Sequence, residues 1–275
     1  MGKSITKFSL LMLVILTLFT GCSIVDKGKL KLGLKNEDFE YIKNDEVDKI
    51  VIQSTRDKGF RFVVTDDKTI KDVYNLLSSA KAMSEKVDLE SDYIFEIYIG
   101  EEVKKFNYVV GVDEKSKGNF YDENKVYYVS SRIDNDIIQN LSFVRKPRDF
   151  STIYYGSILK VLEEKKSYLN DGNKKIGIDI LGDVECTKYI LSRDIESFNS
   201  DMAKITNNVK IINGNKQDFD VIITVRNQGY TSKKFKTNIT IENKNDHSYE
   251  IYYVWGDYDL KAWSIQTSTT KPKDW

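Results

Sequence analysis

Asp92-Tyr-Ile-Phe-Glu-Ile-Tyr-Ile99 runs into Gly100-Glu-Glu102 and then Lys104 to Val112. Large side chains at every second position predict a strand with one buried face. The glycine and two acids turn it into a returning strand, so the stretch is a β-hairpin. Upstream, Val47 to Ser54 alternates before becoming continuously apolar, Asp57-Lys58-Gly59 is turn chemistry, and Phe60 to Val64 returns. Thr65 or Asp66 can cap a helix that places Ile70, Val73, Tyr74, Leu77 and Ala80 on one face. Downstream, a polar loop with Gly111 and Gly118 leads to a strand from Lys125 to Ser130. Arg132 to Leu141 then carries Ile133, Ile137, Ile138 and Leu141 at helical spacing.

Pro147, one of only two prolines, sits among Arg145, Lys146 and Arg148 and marks a domain boundary. Beyond it, Ser151 can cap a helix carrying Ile153, Tyr154, Ile158, Leu159 and Leu162, which Asp171-Gly172 ends. Ile176 to Leu181 reads as a strand, Gly182-Asp183 as a turn and Glu185 to Leu191 as the returning strand. Ser192 caps a helix with Ile195, Phe198, Met202 and Ile205 on one face. Val209 to Ile212, Phe219 to Arg226, Phe235 to Glu242, Tyr249 to Trp255 and Leu260 to Gln266 read as strands. Turns are expected at Asn213-Gly214 and Gln228-Gly229, with a corner at Gly256-Asp257.

Tyr93 to Gly111 looks like Phe219 to Glu242: each is a hairpin with Lys-Lys-Phe in the returning strand, Lys104-Lys105-Phe106 and Lys233-Lys234-Phe235. The expected fold is α+β, two similar helix-on-antiparallel-sheet domains at 46–145 and 151–275, the second a duplicate of the first. Each would bury one sheet face under a helix.

The N-terminus supplies an address. Lys3 and Lys7 precede Phe8 to Phe19, twelve residues without a charge. A membrane-spanning helix needs about 20 apolar residues, and the basic, apolar, small order is that of an export signal. Leu18-Phe19-Thr20-Gly21-Cys22 resembles the bacterial lipobox, with Phe19 where leucine is usual. In such signals the cysteine takes a diacylglyceryl group, the peptide is cut before it, and the new amine is often acylated, as with palmitate. The resemblance implies a signal peptide at 1–21 and lipidation at Cys22, followed by a lipidated tether at 22–45. It places the protein on the cell membrane, lipid-anchored and facing outside the cytoplasm. An uncleaved anchor, or an ordinary signal with an incidental cysteine, is the alternative. Lys27, Lys29, Lys31 and Lys35 could lie against anionic head groups, at about 1 kcal/mol each; an ordinary solvated linker explains them as well.

The chain balances 42 basic against 42 acidic residues, and losing Lys3 and Lys7 leaves the mature part slightly acidic. No concentrated basic surface suggests nucleic acid. With Cys22 lipidated, Cys186 is alone, so no internal disulfide is expected; its place in an expected strand makes it a buried thiol. Only seven of the basic residues are Arg, and Asn, Ile and Tyr are frequent, a bias shared with low-GC Gram-positive bacteria.

Behind a lipobox, the order strand, hairpin, helix and meander resembles the YhfM-like group of bacterial lipoproteins. Asp92-Tyr-Ile-Phe-Glu-Ile-Tyr-Ile99 and Asn124-Lys-Val-Tyr-Tyr-Val129 carry the likeness, which covers the first domain at most. It implies an address and a fold, and no mechanism.

No motif specifies a catalytic group, cofactor or metal. The single histidine, His247, lies in the polar loop Asn243 to Ser248, whereas a zinc site or catalytic triad needs partners around it. Asp66-Asp67, Glu101-Glu102 and Glu163-Glu164 are neighbours whose side chains point apart, unlike carboxylates facing across a cleft. No glycine-rich phosphate loop is present. The last strands are crowded with aromatics. Tyr253 and Trp255 share one face, with Tyr252 opposite, and Tyr258, Trp263 and Trp275 follow. One face should be core; Tyr253, Trp255, Tyr258 and Trp263 are the candidate surface for a protein or glycan partner. The expectation is a lipid-anchored, non-enzymatic binding protein of the envelope. The alternative is a cell-envelope hydrolase whose carboxylates come together only on folding. A third reading is an inhibitory lipoprotein that adds a strand to a partner's sheet edge.

Overall fold

The computed structural model describes residues 35–43, 46–112, 116–141, 146–273 and 275. The signal segment, Cys22 and most of the 22–45 tether lie outside them. The described end of that segment is not a tether, because Glu37–Phe39 and Glu40–Lys43 form short helical turns that bury Phe39 and Ile42 in the first core. β1 (Lys49–Ser54) and β2 (Arg61–Val64) form the hairpin expected around Asp57-Lys58-Gly59. Asp57 closes that turn by accepting the Gly59 amide at 2.9 Å. Asp66, rather than Thr65, caps α1 (Asp67–Leu77) by taking the Thr69 amide at 2.9 Å. Ile70, Val73, Tyr74 and Leu77 turn inward from it; Ala80 is buried just beyond its end.

β3 (Lys81–Met83), β4 (Tyr93–Ile99), β5 (Glu102–Tyr108), β6 (Phe120–Tyr121) and β7 (Val126–Tyr128) complete the first sheet. Its order is β2-β1-β4-β5-β6-β7-β3, with every pairing antiparallel. On β4 the buried residues are Tyr93, Phe95 and Ile97, the alternation that decides the hairpin. β3 and β6 are too short to write any period into the sequence. The closing helix at 132–141 is a π-helical stretch, Ile133–Ile138, running into a short α-helical turn, Gln139–Leu141. Ile133, Ile137 and Ile138 join α1 and the sheet in one core.

α2 (Phe150–Glu164) begins after Asp149, whose φ is 44°, with no side-chain cap. Ser151 lies inside the helix and is not its cap. Phe150 sets the earlier start by stacking on Tyr154 at 5.0 Å within the second core. α2 ends at Glu164; Asp171-Gly172 belongs to a separate 3-10 turn, where Gly172 takes φ 73°.

β8 (Ile176–Asp179) is followed by the largest departure from the sequence expectation. The strand at 185–191 is not formed; the chain makes turns and a 3-10 segment, Thr187–Tyr189. Asp183 accounts for this. Its buried carboxylate accepts the Asn227 amide at 3.0 Å and the Tyr154 hydroxyl at 3.1 Å. Its carbonyl takes the Cys186 and Thr187 amides at 2.9 and 3.0 Å, so those donors are satisfied locally. Cys186 is buried as expected, in this turn and not on a strand.

α3 (Ser192–Ala203) leads to β9 (Val209–Ile211), which lies parallel beside β8. β10 (Val221–Tyr230), β11 (Lys234–Asn243), β12 (Ser248–Asp259) and β13 (Ala262–Ser268) complete the second sheet, ordered β13-β12-β11-β10-β8-β9. β8 is parallel to both neighbours and the rest are antiparallel. The second sheet is therefore mixed, because α3 supplies the crossover that parallel neighbours need. The fold is α+β with two sheets, and the resembling hairpins β4–β5 and β10–β11 both form; the strand orders around them differ.

Two expected turns lie inside strands. Gln228-Gly229 is at a β-bulge, with Gly229 at φ 130°. Gly256 pairs with Ile265 within β12, while the chain reverses at Leu260 and Lys261, with φ 45° and 65°. Gly256 has a packing role: a Cβ there would run into Ile153 Cδ1 of α2 and lie 3.2 Å from Trp263 Cε3.

Candidate functional site

β12 sends Tyr252 and Val254 under the helices and Tyr253 and Trp255 to the other face. Trp275 stands edge-on over that pair, its ring centroid 5.1 Å from Tyr253 and 6.5 Å from Trp255. Trp255, Trp275, Pro272, Lys234, Lys236 and Lys273 line a pocket of about 360 Å³ there. Tyr258 and Trp263 are not part of it. They are paired across β12 and β13 with centroids 5.3 Å apart. Trp263 packs on the helix side, and its Nε1 donates to the Arg148 carbonyl at 2.7 Å. The Arg148 guanidinium lies 5.6 Å from the Tyr258 ring. The four candidates thus divide into an aromatic face, Tyr253 and Trp255, and a staple holding Arg148, Tyr258 and Trp263.

A second constellation lies where the halves meet. Arg56 comes from the β1–β2 turn, Asp92 precedes β4, and Ser192 opens α3. Asp92 accepts from Arg56 Nη1 at 2.7 Å and from the Ser192 and Val110 amides, each at 2.8 Å. Arg56 Nη2 donates to the Ser192 hydroxyl, which donates onward to the Glu90 carbonyl at 2.7 Å. The side chains of Arg56 and Asp92 are 9% and 1% exposed, so this ion pair is shielded from water. Glu90, 78% exposed, holds its carboxylate 3.7 Å from Arg56 Nη2. α3 has no capping side chain of its own. Asp92 caps it from the other half of the chain, setting a negative charge against the helix N-terminus. The expected Ser192 cap is not formed because its hydroxyl is committed to Arg56 and Glu90.

Two clefts flank this seam. The larger, about 710 Å³, lies between Thr55, Arg56 and Ser91 on one side and Leu181, Ile195 and Ile211 on the other. The smaller, about 250 Å³, sets Phe60, Tyr93 and Asp134 against Lys146, Lys188 and Tyr189. Gln139 Nε2 donates to Asp134 Oδ2 at 2.9 Å. Burial pushes the Asp134 carboxyl above its usual range, against the opposing pull of Gln139 and Lys146. Seam residues are 36 to 136 positions apart, so no spacing rule could collect them. The one local hint is a rare Arg directly before turn chemistry.

His247 sits exposed in its turn at φ 58°. Asp66-Asp67 lies at the α1 cap, Glu101-Glu102 at the β4–β5 turn, and Glu163-Glu164 at the end of α2. The described residues hold no group of three or more His, Cys, Asp or Glu placed for a metal ion. Burial, then the charge of Asp183, pushes the Cys186 thiol well above its usual range.

Fold and seam together define a two-part α+β protein joined through a buried ion pair. Residues 43–147 match the family model described as YhfM protein, a span covering the first sheet and its helices. The first domain is therefore YhfM-like. No curated protein and no solved structure matches the chain.

Proposed function

We propose that the protein is a lipid-anchored binding protein on the outer side of the cell membrane, held through Cys22, and that it takes an envelope glycan on the face made by Tyr253, Trp255 and Trp275. Binding, rather than catalysis, is its function in this reading. The observation that carries it is the Trp275 ring standing over both Tyr253 and Trp255 beside the lysine-rimmed pocket. Indole and phenol rings offer large, rigid surfaces with a polar handle, suited to the apolar face of a sugar ring. Lys234, Lys236 and Lys273 outnumber the one acid of the lining, Asp257, and favour a glycan carrying negative charge. The lipobox-like Leu18 to Cys22 supports the address.

The test is co-sedimentation of the purified protein with insoluble cell-wall sacculi. Wild type should sediment, and Trp255→Ala should bind at least about tenfold more weakly, a loss of about 1.4 kcal/mol. Equal sedimentation of the variant would refute the glycan face. Intact mass of membrane-recovered protein tests the anchor: a diacylated chain beginning at Cys22 is expected, and Cys22→Ala should lose it.

A further inference from the structure

We infer that the smaller seam cleft is a binding site for a small carboxylate carrying a flat ring. Both halves build it: Phe60, Tyr93 and Asp134 from the first, Lys146, Lys188 and Tyr189 from the linker and the second. About 250 Å³ suits one six-membered ring with its substituents, and ligand sites favour domain interfaces of this kind.

The lining chemistry specifies the ligand. Two lysines, Lys146 and Lys188, line the cleft against one carboxyl, Asp134; the Lys188 ammonium lies 5.4 Å from the Tyr189 ring centroid, and neither lysine has a carboxylate within salt-bridge distance among the described residues. Asp194, the other acid whose charge Lys146 reaches, lines a different hollow beside Ser151 and Phe198. An incoming carboxylate therefore meets an excess of positive charge. Phe60, Tyr93 and Tyr189 supply ring surface. Tyr189 is held by its hydroxyl, 3.1 Å from that of Tyr230, and Phe60 by edge-to-face contact with Phe62 at 4.9 Å. Such fixed aromatics lose little freedom when a ring docks.

Asp134 supplies the remaining polar contact. It lies in the π-helical turn Ile133–Ile138, a wide-turn geometry found often at functional sites. Gln139 holds one of its oxygens, leaving the other to accept a hydroxyl on the far side of the ring. The raised carboxyl of Asp134 agrees with a group drawn into an apolar wall.

The probe is 4-hydroxybenzoate, titrated into the full chain by isothermal calorimetry at neutral pH. Wild type should bind it, while 4-hydroxybenzyl alcohol, lacking the charge, and acetate, lacking the ring, should each bind at least tenfold more weakly. Lys188→Gln and Lys146→Gln should each weaken 4-hydroxybenzoate at least fivefold with an unchanged melting temperature. Trp255→Ala should leave this binding unchanged, so the glycan face and this cleft stand or fall separately. Absence of binding to wild type would overturn the assignment. So would acetate matching the aromatic acid, lysine variants that bind like wild type, or loss of binding in Trp255→Ala.

Discussion

Replacing Asp92 with alanine should sever the two halves of the molecule from one another. The carboxylate accepts three hydrogen bonds of 2.7 to 2.8 Å, from Arg56 Nη1 and from the amides of Ser192 and Val110. Its removal strands a guanidinium that is 9% exposed, leaving Glu90 at 3.7 Å as its one acidic neighbour within salt-bridge distance among the described residues. Breaking one side of a buried ion pair costs about 3–5 kcal/mol. Two amides also lose their acceptor, at about 1–3 kcal/mol each where water cannot enter. Water entering the alanine-sized gap relieves part of both costs, so about 4 kcal/mol is expected for Asp92→Ala. Whole-domain stabilities are about 5–15 kcal/mol, so the change is severe. With a urea slope of about 2 kcal/mol per molar, the unfolding midpoint should fall by about 2 M. α3 loses its cap in the same step, so tryptophan fluorescence, which comes from Trp255, Trp263 and Trp275 of the second half alone, should report unfolding before the far-UV circular dichroism of the whole chain does. Arg56→Met with Asp92→Leu should recover the part of the loss owed to the stranded charge, while the Ser192 and Val110 amides still lack their acceptor. A midpoint shift below about 0.5 M for Asp92→Ala, or a double variant less stable than the single one, would refute this account of the seam.

Two further predictions concern the second sheet. Burial pushes the Asp179 carboxyl up, but hydrogen bonds from Lys216 and Arg226 at 2.7 Å and from the Gly182 amide at 2.9 Å outweigh it and hold it below the ordinary range. A carboxyl lowered on folding stabilises above its unfolded value and loses that contribution as pH falls through the lower folded one. Asp179→Asn should therefore melt below wild type at pH 7, and the gap should close below about pH 4; a gap that persists in acid would count against the ion-pair cause. Gly256→Ala should overpack the α2–β12 contact and cost about 1–3 kcal/mol, read as a lower melting temperature that Ile153→Val in the same chain, which removes the clashing Cδ1, partly restores. An unchanged melting temperature in the single variant would show that α2 stands further from the sheet.

Local pattern in the chain determined a good deal. Tyr93, Phe95 and Ile97 alternate inward on β4 and Gly100 turns with φ 56°, because a strand's two-residue period is written into its own side chains. Asp66 before α1 and the opposite faces of Tyr252 and Tyr253 are likewise properties of a few neighbouring residues. The lipobox-like segment ending at Cys22 is a matter of sequence alone. Tertiary structure decided the rest. Residues 183–191 carry a strand-like pattern, yet the buried Asp183 carboxylate ties them to Asn227 and Tyr154. Alternation along β12 already puts Tyr258 on the face opposite Tyr253 and Trp255; what needed the fold is that Arg148, far earlier in the chain, docks on Tyr258 and Trp263 and that Trp275 closes over the other face. The parallel placing of β8 and the union of Arg56, Asp92 and Ser192 depend on which distant partner satisfies each buried polar group. Periodicity describes one element at a time; desolvation and hydrogen-bond satisfaction are settled only when elements meet.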